Sequence, residues 1–393
     1  MKEYRLGDII DIKHGYAFDG EHIVQEDNDI VLVTPGNFRI GGGFQEEKCK
    51  FFPGEIPNDY VLSAGDYIVT MTDLSKEIDT LGYSAIVPKS DRTYLHNQRI
   101  GLISFKNDEC YPGYIYFLMR THLYQRSIAN TSTGATVHHT SPTKIYEYRF
   151  TAPDYETQRR IADYLFSYEK LIENNQKQIE LLEEAAQRLY KEWFVDLRFP
   201  GYENTPIIDG IPQGWKKERV VDIADVQYGF AFDGTLFNSD GNGMPIIRIR
   251  NIPDGITKDY TTEEADEQYI VKNGDIVVGM AGEFHINSWS GEDSYLVQRT
   301  CRIKPHNLDM KGYLLQAIYE PIKFFESTVV GATVAHLGKK HIDTITIFTA
   351  PEEMYKPFQQ YFNKRQLLLN QNQRLAEARD RLLPKLMSGE LEV

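Results

Sequence analysis

The 393-residue sequence is poor in cysteine and contains no long apolar run. Its three cysteines, Cys49, Cys110 and Cys301, are widely separated and odd in number, which argues against a disulfide framework and favours a reducing compartment. No stretch approaches the roughly 18 apolar residues that a membrane span needs, and the N-terminus MKEYRLGDII does not resemble a secretory signal. We therefore expect a cytoplasmic protein without a membrane partner.

Familiar catalytic and metal-binding patterns are also missing. The sequence has no G-x-x-x-x-G-K-[ST], no G-x-S-x-G and no strand-associated G-x-G-x-x-G, and the glycines at 41–43 are better explained as a loop. His138 and His139 are adjacent, while His336 and His341 are five residues apart, which are poor spacings for zinc. We expect no catalytic residue, no metal and no cofactor. An enzyme with a dispersed active site is a separate alternative.

Basic residues are outnumbered, since 43 Lys and Arg face 57 Asp and Glu, giving a formal net charge of -14. Phosphate binding is driven by Lys and Arg, so this balance argues mildly against a nucleic-acid partner. Net charge is only a sum, however, and a basic face can coexist with acidic surfaces that meet other proteins. Whether nucleic acid is a partner therefore depends on where the basic residues lie, and not on the net charge.

The most informative feature present is an internal repeat. Segments of the first half return in the same order about 200 residues later: HGYAFDG (14–20) as YGFAFDG (228–234), GDYIVTM (65–71) as GDIVVGM (274–280), TGATVHH (133–139) as VGATVAH (330–336), and FTAP (150–153) as FTAP (348–351). Collinear matches of this kind predict two copies of one module. We expect Phe18 and Phe232, at matching positions of the heptapeptides, to anchor the two cores.

Each copy contains two regions that differ in composition. Short alternating apolar runs broken by Gly, Pro, Asn and Asp predict mixed α and β structure with small sheets, and NSDGNG (238–243) is typical of a hairpin tip. No Gly or Pro then occurs from Asp154 to Arg198, which predicts a long helix over 154–194. A second helix is predicted over 352–388, ending at Gly389 as its C-terminal cap.

The fold class predicted from these patterns is α+β: two homologous mixed α/β domains joined by two long helices that form an antiparallel coiled coil, with a pseudo-twofold internal repeat. The expected boundaries are 1–153 for domain 1, 154–198 for the first helix, 199–213 for a linker, 214–351 for domain 2 and 352–393 for the second helix.

The coiled coil is predicted from seams in which residues recur at alternating steps of four and three. The seam residues are Ile161, Leu165, Ile172, Asn175, Ile179 and Leu182 in the first helix, and Leu368, Asn372, Leu375 and Leu382 in the second. The two asparagines lie near the helix midpoints and would face each other in an antiparallel pair. Arg365 and Arg379 also fall on the second seam, where glutamates would have to answer them. The alternative is that each helix lies on its own domain.

Polar and basic residues at matching places of both copies suggest a binding face. Arg, Asn and Gln side chains read base edges, while Lys, Thr and His suit phosphates. The candidates in the first copy are Asn37, Arg39, Gln98, Arg99, Thr133, Thr136, His138, His139 and Lys144. Those in the second copy are Arg248, Arg250, Asn251, Gln298, Arg299, Arg302, Lys304, Thr333, His336, Lys339 and Lys340. The alternative for any one of them is an ordinary surface loop.

The whole chain resembles the specificity subunits of type I restriction–modification systems. The resemblance is carried by YRLGDIIDIKHGYAF near the start, TAPDYETQRRIADYL and LYKEWFVDLRFPG around the first helix, IPQGWKKERVVDIADV at the second copy, and RDRLLPKLMSGELEV at the end. It implies that each domain is a target-recognition domain reading one half of a bipartite site in double-stranded DNA. The helices would then be an antiparallel spacer that docks two modification subunits, to which restriction subunits attach. Methylation and cleavage would belong to those partners, and this chain would be non-catalytic and without a cofactor.

The second copy departs from this family pattern. Glu156 and Gln158 form a Glu-x-Gln signature at the first helix, which we expect to be missing from the second, where Lys356 stands and Pro357 should break or delay the helix. A modification subunit would then contact the two repeats unequally. A different alternative for the whole chain is a stand-alone DNA-binding or scaffolding protein that dimerises through its coiled coil.

Overall fold

The computed structural model describes residues 1–47, 49–75, 77–134, 136–328 and 336–392. The chain divides into two compact units: unit 1 is residues 1–170 with 376–393, and unit 2 is residues 171–375. Each unit therefore includes one part of each long helix. Within the described ranges, no helix is both long and apolar enough to cross a membrane.

Unit 1 is built on two four-stranded sheets. The first is antiparallel throughout, in the order Ile10–His14, Ile100–Phe105, Tyr67–Thr70 and Ser84–Ile86. The second has the order Lys50–Phe51, Ile30–Val33, Thr93–His96 and Val61–Leu62, and its two central strands run parallel. Short antiparallel pairs join Lys2–Arg5 to Arg149–Ala152 and Thr72–Asp73 to His138–His139.

Short helices cover these sheets. The helices of unit 1 are Leu6–Ile9, Pro112–Leu118, His122–Asn130 and Pro142–Tyr146, with 3₁₀ turns at Gly20–His22, Pro35–Asn37 and Asn58–Tyr60. The side chain of Thr121 caps the third helix by accepting a hydrogen bond from the Tyr124 amide. Tyr114 and Phe117 are fully buried and share one core cluster with Leu165 of the first long helix. That helix is thereby part of the unit 1 core.

Unit 2 repeats the arrangement. Its antiparallel sheet has the order Ala224–Tyr228, Thr300–Pro305, Ile276–Gly279 and Ile286–Ser288. Its second sheet has five strands, Phe237–Asn238, Tyr260–Thr261, Met244–Ile247, Ser294–Leu296 and Ile270–Val271, and again contains one parallel pair, Met244–Ile247 with Ser294–Leu296. Lys216–Arg219 pairs with Thr346–Thr349, as Lys2–Arg5 does in unit 1, and Ile207–Ile208 pairs with Ile211–Pro212.

The helices of unit 2 follow the same order along the chain. They are Val220–Ile223, Lys311–Ala317, Tyr319–Thr328 and Lys339–Ile342, with 3₁₀ turns at Tyr202–Asn204, Gly234–Leu236, Ile249–Asn251, Glu267–Tyr269, Leu308–Met310 and Glu352–Met354. Phe18 packs in a buried cluster with Leu32 and Leu95, and Phe232 in a second one with Ile246 and Tyr295. The duplication, the mixed α and β character and the two aromatic anchors are thus confirmed.

The long helices begin and end near their predicted bounds. The first covers Tyr155–Tyr190 and continues into a π-helical turn at Lys191–Val195. The second covers Lys356–Ser388 and ends at Gly389, whose φ of 77° is the left-handed conformation that glycine adopts without strain. Pro357 lies in the first turn, where a missing amide hydrogen removes no intrahelical bond. It delays the second helix from 352 to Lys356, as expected.

The predicted seam faces inward in the described residues. Ile161 and Leu165 are buried with Leu386 in the core of unit 1, and none of the ten seam residues is exposed. In unit 2 the helix segments are antiparallel, since Ile172 meets Asn372 while Glu183, further along the first helix, meets Arg365, earlier on the second.

Both arginines on the second seam pair with glutamates of the first long helix. Arg365 Nε lies 2.6 Å from Glu183 Oε1 in unit 2, and Arg379 Nη1 lies 3.6 Å from Glu169 Oε1 in unit 1. Asn175 is buried, and Asn372 Nδ2 donates to the Ile172 carbonyl oxygen at 3.3 Å rather than to the Asn175 amide. The Asn372 Oδ1 atom is buried and has no hydrogen-bond partner within the described part of the chain.

One local expectation is wrong, and another holds only for the glutamate of the helix-entry signature. The segment 238–243 is not a hairpin tip, because Phe237–Asn238 and Met244–Ile247 each pair with Tyr260–Thr261 instead of with each other. The glutamine of the helix-entry signature is not missing from the second copy either. Gln359 Oε1 accepts a hydrogen bond from the Gly312 amide at 3.1 Å, as Gln158 Oε1 accepts one from the Tyr111 amide at 2.9 Å. The two glutamines lie at different distances from the shared TAP motif, because the second helix starts later. The match is therefore not visible when the two sequences are aligned on that motif.

Candidate nucleic-acid interface

Backbone hydrogen bonds connect four loops along one edge of unit 1. The Gln98 amide donates to the Tyr16 carbonyl oxygen at 2.9 Å, the Met71 amide to that of Arg99 at 2.9 Å, and the Thr140 amide to that of Met71 at 3.0 Å. The heptapeptide 14–20, the Gln98–Arg99 turn, the end of a central strand and the segment 136–140 are therefore neighbours. We refer to this as the unit 1 loop edge.

Unit 2 has the same series of bonds. The Gln298 amide donates to the Phe230 carbonyl oxygen at 2.7 Å, the Met280 amide to that of Arg299 at 2.8 Å, and the Leu337 amide to that of Met280 at 2.9 Å. We refer to this as the unit 2 loop edge. Because the backbone links recur while the flanking sequences differ, the two edges are equivalent scaffolds that carry different side chains.

A glycine of each heptapeptide makes the close approach possible. An added Cβ atom at Gly15 would lie well inside 3.0 Å of the Asn97 and His96 carbonyl oxygens, and one at Gly229 would overlap the Val297 carbonyl in the same way. Those carbonyls belong to the residues just before the Gln-Arg turns. The repeated heptapeptide therefore packs directly against the residues that precede each Gln-Arg turn. Its glycine is explained by this contact, which leaves no room for a Cβ atom.

Several of the candidate polar side chains on these edges are exposed. In unit 1 the exposed candidates on the edge are Gln98, Arg99, Thr133, Thr136 and His139; in unit 2 they are Gln298, Arg299, His336, Lys339 and Lys340. Arg299 has a φ of 66°, the left-handed region that disfavours a residue with a Cβ atom. Such strain at an exposed arginine is typical of positions held for function. Thr333 lies outside the described residues.

The short strand Thr72–Asp73 at the unit 1 loop edge contains a buried carboxylate, that of Asp73. Asp73 accepts hydrogen bonds from Ser75 and Thr80, and although burial alone would raise its pKa, these bonds lower it below the usual value. Asp73 lies opposite His138 in the short antiparallel pair, and Thr72 lies opposite His139. His139 Nδ1 is 3.1 Å from the Thr72 hydroxyl, while His138 Nδ1 is buried and has no hydrogen-bond partner among the residues that the structure describes.

Two candidate asparagines are used within the fold. Asn37 is 0% exposed, and its Oδ1 accepts a hydrogen bond from the Thr34 amide at 2.8 Å. Asn251 Oδ1 accepts one from the Arg248 amide at 2.8 Å, and its Nδ2 donates to Asp259 at 3.1 Å. The two residues do match each other in the repeat. Their amides close equivalent 3₁₀ turns, however, so base reading is not assigned to them.

Several candidate cations of unit 2 are also engaged inside the protein. Arg250 forms an ion pair with Asp259, and the Arg248 guanidinium lies 5.6 Å from the centre of the Phe237 ring. Arg302 lies 3.9 Å from the buried Asp275 carboxylate and donates to a backbone carbonyl oxygen. Arg302 is therefore a structural residue, whereas Arg248 and Arg250 lie on a loop near the surface.

The remaining candidates are placed as follows. Arg39 is exposed on the loop formed by Gly41, Gly42 and Gly43, whose φ values of 87°, 83° and 93° confirm the expected loop. Lys144 donates to the Thr131 carbonyl oxygen beside the unit 1 edge. Lys304 is exposed but follows Thr300 by four residues on one strand, roughly 13 Å from the Gln-Arg turn, and stands opposite Asp225.

One buried arginine escaped the sequence patterns, while another lies on the predicted seam with the glutamate partner that its position required. Arg120 and Arg365 are both largely buried, and each joins a glutamate of the first long helix to polar atoms of its own unit. A lone arginine in the apolar stretch YFLMRTH was the only available signal for Arg120. Nothing in the sequence identified its partner, because ion-pair partners need not be near in the chain.

The described residues hold no group of three or more metal-binding side chains placed to share an ion. Cys110 and Cys301 are buried, which raises the pKa of Cys110 to about 11 and that of Cys301 to about 12. Both are therefore protonated thiols at neutral pH. They serve as small apolar core residues.

Comparison with known proteins identifies the class of protein that carries these edges. The model of the type I restriction modification DNA specificity domain matches residues 1–184 and 212–376, which is most of the chain. The chain therefore belongs to the family of type I restriction–modification specificity subunits. Membership implies DNA target recognition, and such subunits are generally non-catalytic.

Individual relatives agree with this assignment. The specificity subunit of the type I restriction enzyme MjaIX from Methanocaldococcus jannaschii is 28% identical over 301 residues, covering 71% of this chain and 69% of that protein. The HindI specificity subunit from Haemophilus influenzae is 22% identical over 480 residues and covers 99% of both. The fold is similar to a crystal structure of a type I restriction–modification S subunit from M. genitalium, with a TM-score of 0.55, 15% identity, and coverage of 98% of this chain and 96% of that one.

Proposed function

We propose that this chain gives a type I restriction–modification complex its DNA sequence specificity by reading a bipartite target. Each unit binds one half of the site in double-stranded DNA through its loop edge. The exposed Gln98 and Arg99 of unit 1, and Gln298 and Arg299 of unit 2, are suited to base edges, since Arg pairs with guanine and Gln with adenine in the major groove.

The observation that carries this proposal is the recurrence of the loop edge. The same three backbone bonds support a Gln-Arg turn in both units. The adjoining loops differ, with HHTSPTK at 138–144 in one and HLGKK at 336–340 in the other. The Gln-Arg pair is common to both units, so a difference between the half-sites would come from the adjoining loops, where Thr136 and His139 are exposed in unit 1 and His336 in unit 2. Lys339, Lys340, Thr133 and Lys144 supply phosphate contacts, which position the protein without reading sequence.

The long helices serve as an antiparallel coiled-coil spacer in this proposal. Their seam residues are buried or half-buried, and the arginines on the seam meet glutamates, which supports pairing between the helices. The spacer would fix the distance between the half-sites. It would also dock two modification subunits, through which restriction subunits attach.

Partners carry the chemistry in this proposal, because methylation and cleavage belong to the modification and restriction subunits. The net charge of -14 fits a chain whose other surfaces meet proteins, with part of the phosphate charge neutralised by those proteins. We expect weak DNA binding by the chain alone and tight, specific binding in complex. Equal affinity with and without the modification subunit, measured across a salt titration, would contradict this expectation.

A stand-alone protein that dimerises through its coiled coil is the weaker candidate. The seam of the second helix is already covered by the first helix of the same chain, as the Asn372–Ile172 and Arg365–Glu183 contacts record. A second chain would have to displace those contacts. No observation in the described residues favours it.

The test is to map the methylated motif in DNA from cells that carry the complete system. The proposal predicts two short specified sequences separated by an unspecified gap. Adding four residues at the middle of each long helix should widen that gap by roughly two base pairs, because four residues add about 6 Å and nearly one full turn. A continuous motif, or a gap unchanged by the insertion, would contradict the proposal.

A further inference from the structure

A buried guanidinium connects the first long helix to a glycine loop in unit 1. The Arg120 side chain is 3% exposed and forms an ion pair with Glu169 of that helix. Its Nε donates to the Gly41 carbonyl oxygen at 2.9 Å, and its Nη1 to the Tyr116 hydroxyl at 2.7 Å. We name this group, Arg120 with Glu169, Tyr116 and Gly41, the Arg120 clamp.

The Arg120 clamp holds the loop that carries Arg39. Three consecutive left-handed glycines give this loop little conformational preference of its own. An added Cβ atom at Gly42 would lie within 3.0 Å of the Arg120 side chain, so the loop and the arginine are in close contact. The position of Arg39 therefore depends on the Arg120 fork.

Unit 2 has a comparable connection built from different elements. The Arg365 side chain, on the second long helix, is 11% exposed and lies 2.6 Å from Glu183 of the first. Its Nη2 donates to Asn287 Oδ1 at 2.7 Å, and Asn287 Nδ2 donates to the Ile252 and Pro253 carbonyl oxygens at 3.0 and 2.8 Å. We name this group, Arg365 with Glu183, Asn287 and those two carbonyls, the Arg365 clamp.

The two clamps reach the same region of the repeat, although not the same residues. Arg120 binds the Gly41 carbonyl, which comes after the 3₁₀ turn closed by Asn37, while Arg365 acts through Asn287 on the Ile252 carbonyl, directly after the turn closed by Asn251. Each turn adjoins an exposed arginine, Arg39 in unit 1 and Arg250 in unit 2. Since the arginines of the clamps come from different elements, the shared feature is the connection itself: a long-helix glutamate, a buried guanidinium and a loop carbonyl.

We propose that Arg120 and Arg365 are positioning residues that fix the loop after the asparagine turn to the long helices, and thereby set the base preference of their own half-site without touching DNA. This rests on the proposed function. A buried guanidinium with a charged partner suits such a role, because its planar fork holds two partners in one geometry and a Lys ammonium cannot.

The test substitutes each arginine by lysine in the full chain, R120K and R365K, which keeps the charge and removes the fork. Matched controls are R126K and R374K, since both arginines are exposed and lie near the clamp residue or on the same helix. A second variant, E169Q, removes the charge that pairs with the buried Arg120 guanidinium, so it should speed exchange in the loop after Asn37 in the same direction as R120K.

The first measurement is hydrogen–deuterium exchange, which needs no DNA. The Gly42 and Gly43 amides donate to the Arg39 and Ser84 carbonyl oxygens at 2.9 Å and are therefore protected. R120K should speed their exchange about tenfold, the effect of losing one charge-assisted hydrogen bond. R126K should leave it unchanged. Unchanged exchange in R120K would overturn the proposal.

The second measurement maps the methylated motif in cells with the complete system. R120K should relax base preference in one half of the motif and R365K in the other, while the controls keep both halves. Faster exchange with both halves retained, or equal loss in both halves, would overturn the proposal. If the unchanged chain directs no bipartite motif, the proposed function itself fails, and the exchange measurement still reports separately whether the Arg120 clamp fixes its loop.

Discussion

The packing of the heptapeptide against the Gln-Arg turn can be tested by adding a single methyl group. In HGYAFDG, an added methyl group at Gly15 would overlap the backbone carbonyls of His96 and Asn97, whereas one at Gly20 would meet nothing within 4 Å. Backbone atoms in a sheet cannot move aside as a flexible side chain can. We therefore expect G15A to be destabilising and G20A to be a matched control from the same seven residues.

The magnitude follows from the cost of overpacking a rigid site. Forcing one methyl group into packed structure costs about 1–3 kcal/mol, which raises the unfolding equilibrium constant of unit 1 by roughly 5- to 150-fold. For a unit of this size, the melting temperature should fall by about 2–4 °C for each kcal/mol. G20A should be neutral or stabilising by up to about 1 kcal/mol, because alanine restricts the unfolded chain.

Differential scanning calorimetry and urea denaturation of G15A, G20A and the unchanged chain provide the assay. G229A and G234A repeat the comparison in unit 2, since Gly229 meets the Val297 carbonyl and Gly234 meets nothing. If G15A and G20A differ by less than about 0.5 kcal/mol, which is within the range of ordinary surface substitutions, the heptapeptide does not support the turn in the way described.

Three further outcomes are expected. Burial lowers the pKa of His96, whose Nε2 lies 2.9 Å from the Ile100 carbonyl oxygen. Folding therefore favours the neutral ring. The free energy of unfolding is at its full value above the ordinary pKa of 6.5 and falls as the pH drops below it. Urea titrations on either side of that pH should show this loss, and H96Q should reduce it. N372L should raise the free energy of unfolding by about 1 kcal/mol, because it removes a buried oxygen without a partner; an unchanged or lower melting temperature would contradict this. R299G should relieve left-handed strain and stabilise unit 2 by up to about 1 kcal/mol, while weakening specific DNA binding by the assembled complex by about 1–3 kcal/mol, which is what one Arg–guanine pair contributes. R99G, at a residue without positive φ, should weaken binding without stabilising; equal thermal effects of the two variants would contradict the role of strain.

The repeat and the helices could be predicted from the sequence because they depend on periodicity and local conformation. Two collinear copies implied two equivalent units, and a long stretch without Gly or Pro implied a long helix. The start of the second helix could also be anticipated, since the effect of Pro357 is local and independent of tertiary contacts.

The candidate site was less predictable because the same residue type serves both structure and recognition. Asn37 and Asn251 are polar residues at matching positions, as a DNA-reading pair would be, yet both amides close turns. Arg302 and Arg299 are close in sequence, but one is engaged beside Asp275 and the other is exposed. Which of two arginines reaches solvent depends on strand alternation and on a carboxylate that is distant in the chain.

The Arg120 connection was beyond any sequence pattern, and for Arg365 only the need for a glutamate partner was predictable. Arg120 and Glu169 are 49 residues apart, and Arg365 and Glu183 are 182 apart. Such pairs form because each unit includes parts of the long helices that are distant in the chain from the residues they meet. The register of the second copy was similarly hidden, since Gln359 takes the place of Gln158 only after the later start of its helix is known.

The central claim is that each unit reads one half of a divided target, and the most direct measurement compares paired substitutions at the two Gln-Arg turns. One chain carries Q98A with R99A, another carries Q298A with R299A, and the methylated motif is mapped for each in cells with the complete system. We predict that the first pair alters only one half of the motif, the second pair alters only the other, and the gap between them keeps its length. If both pairs alter the same half, or if neither alters the motif, the two loop edges are not the two readers.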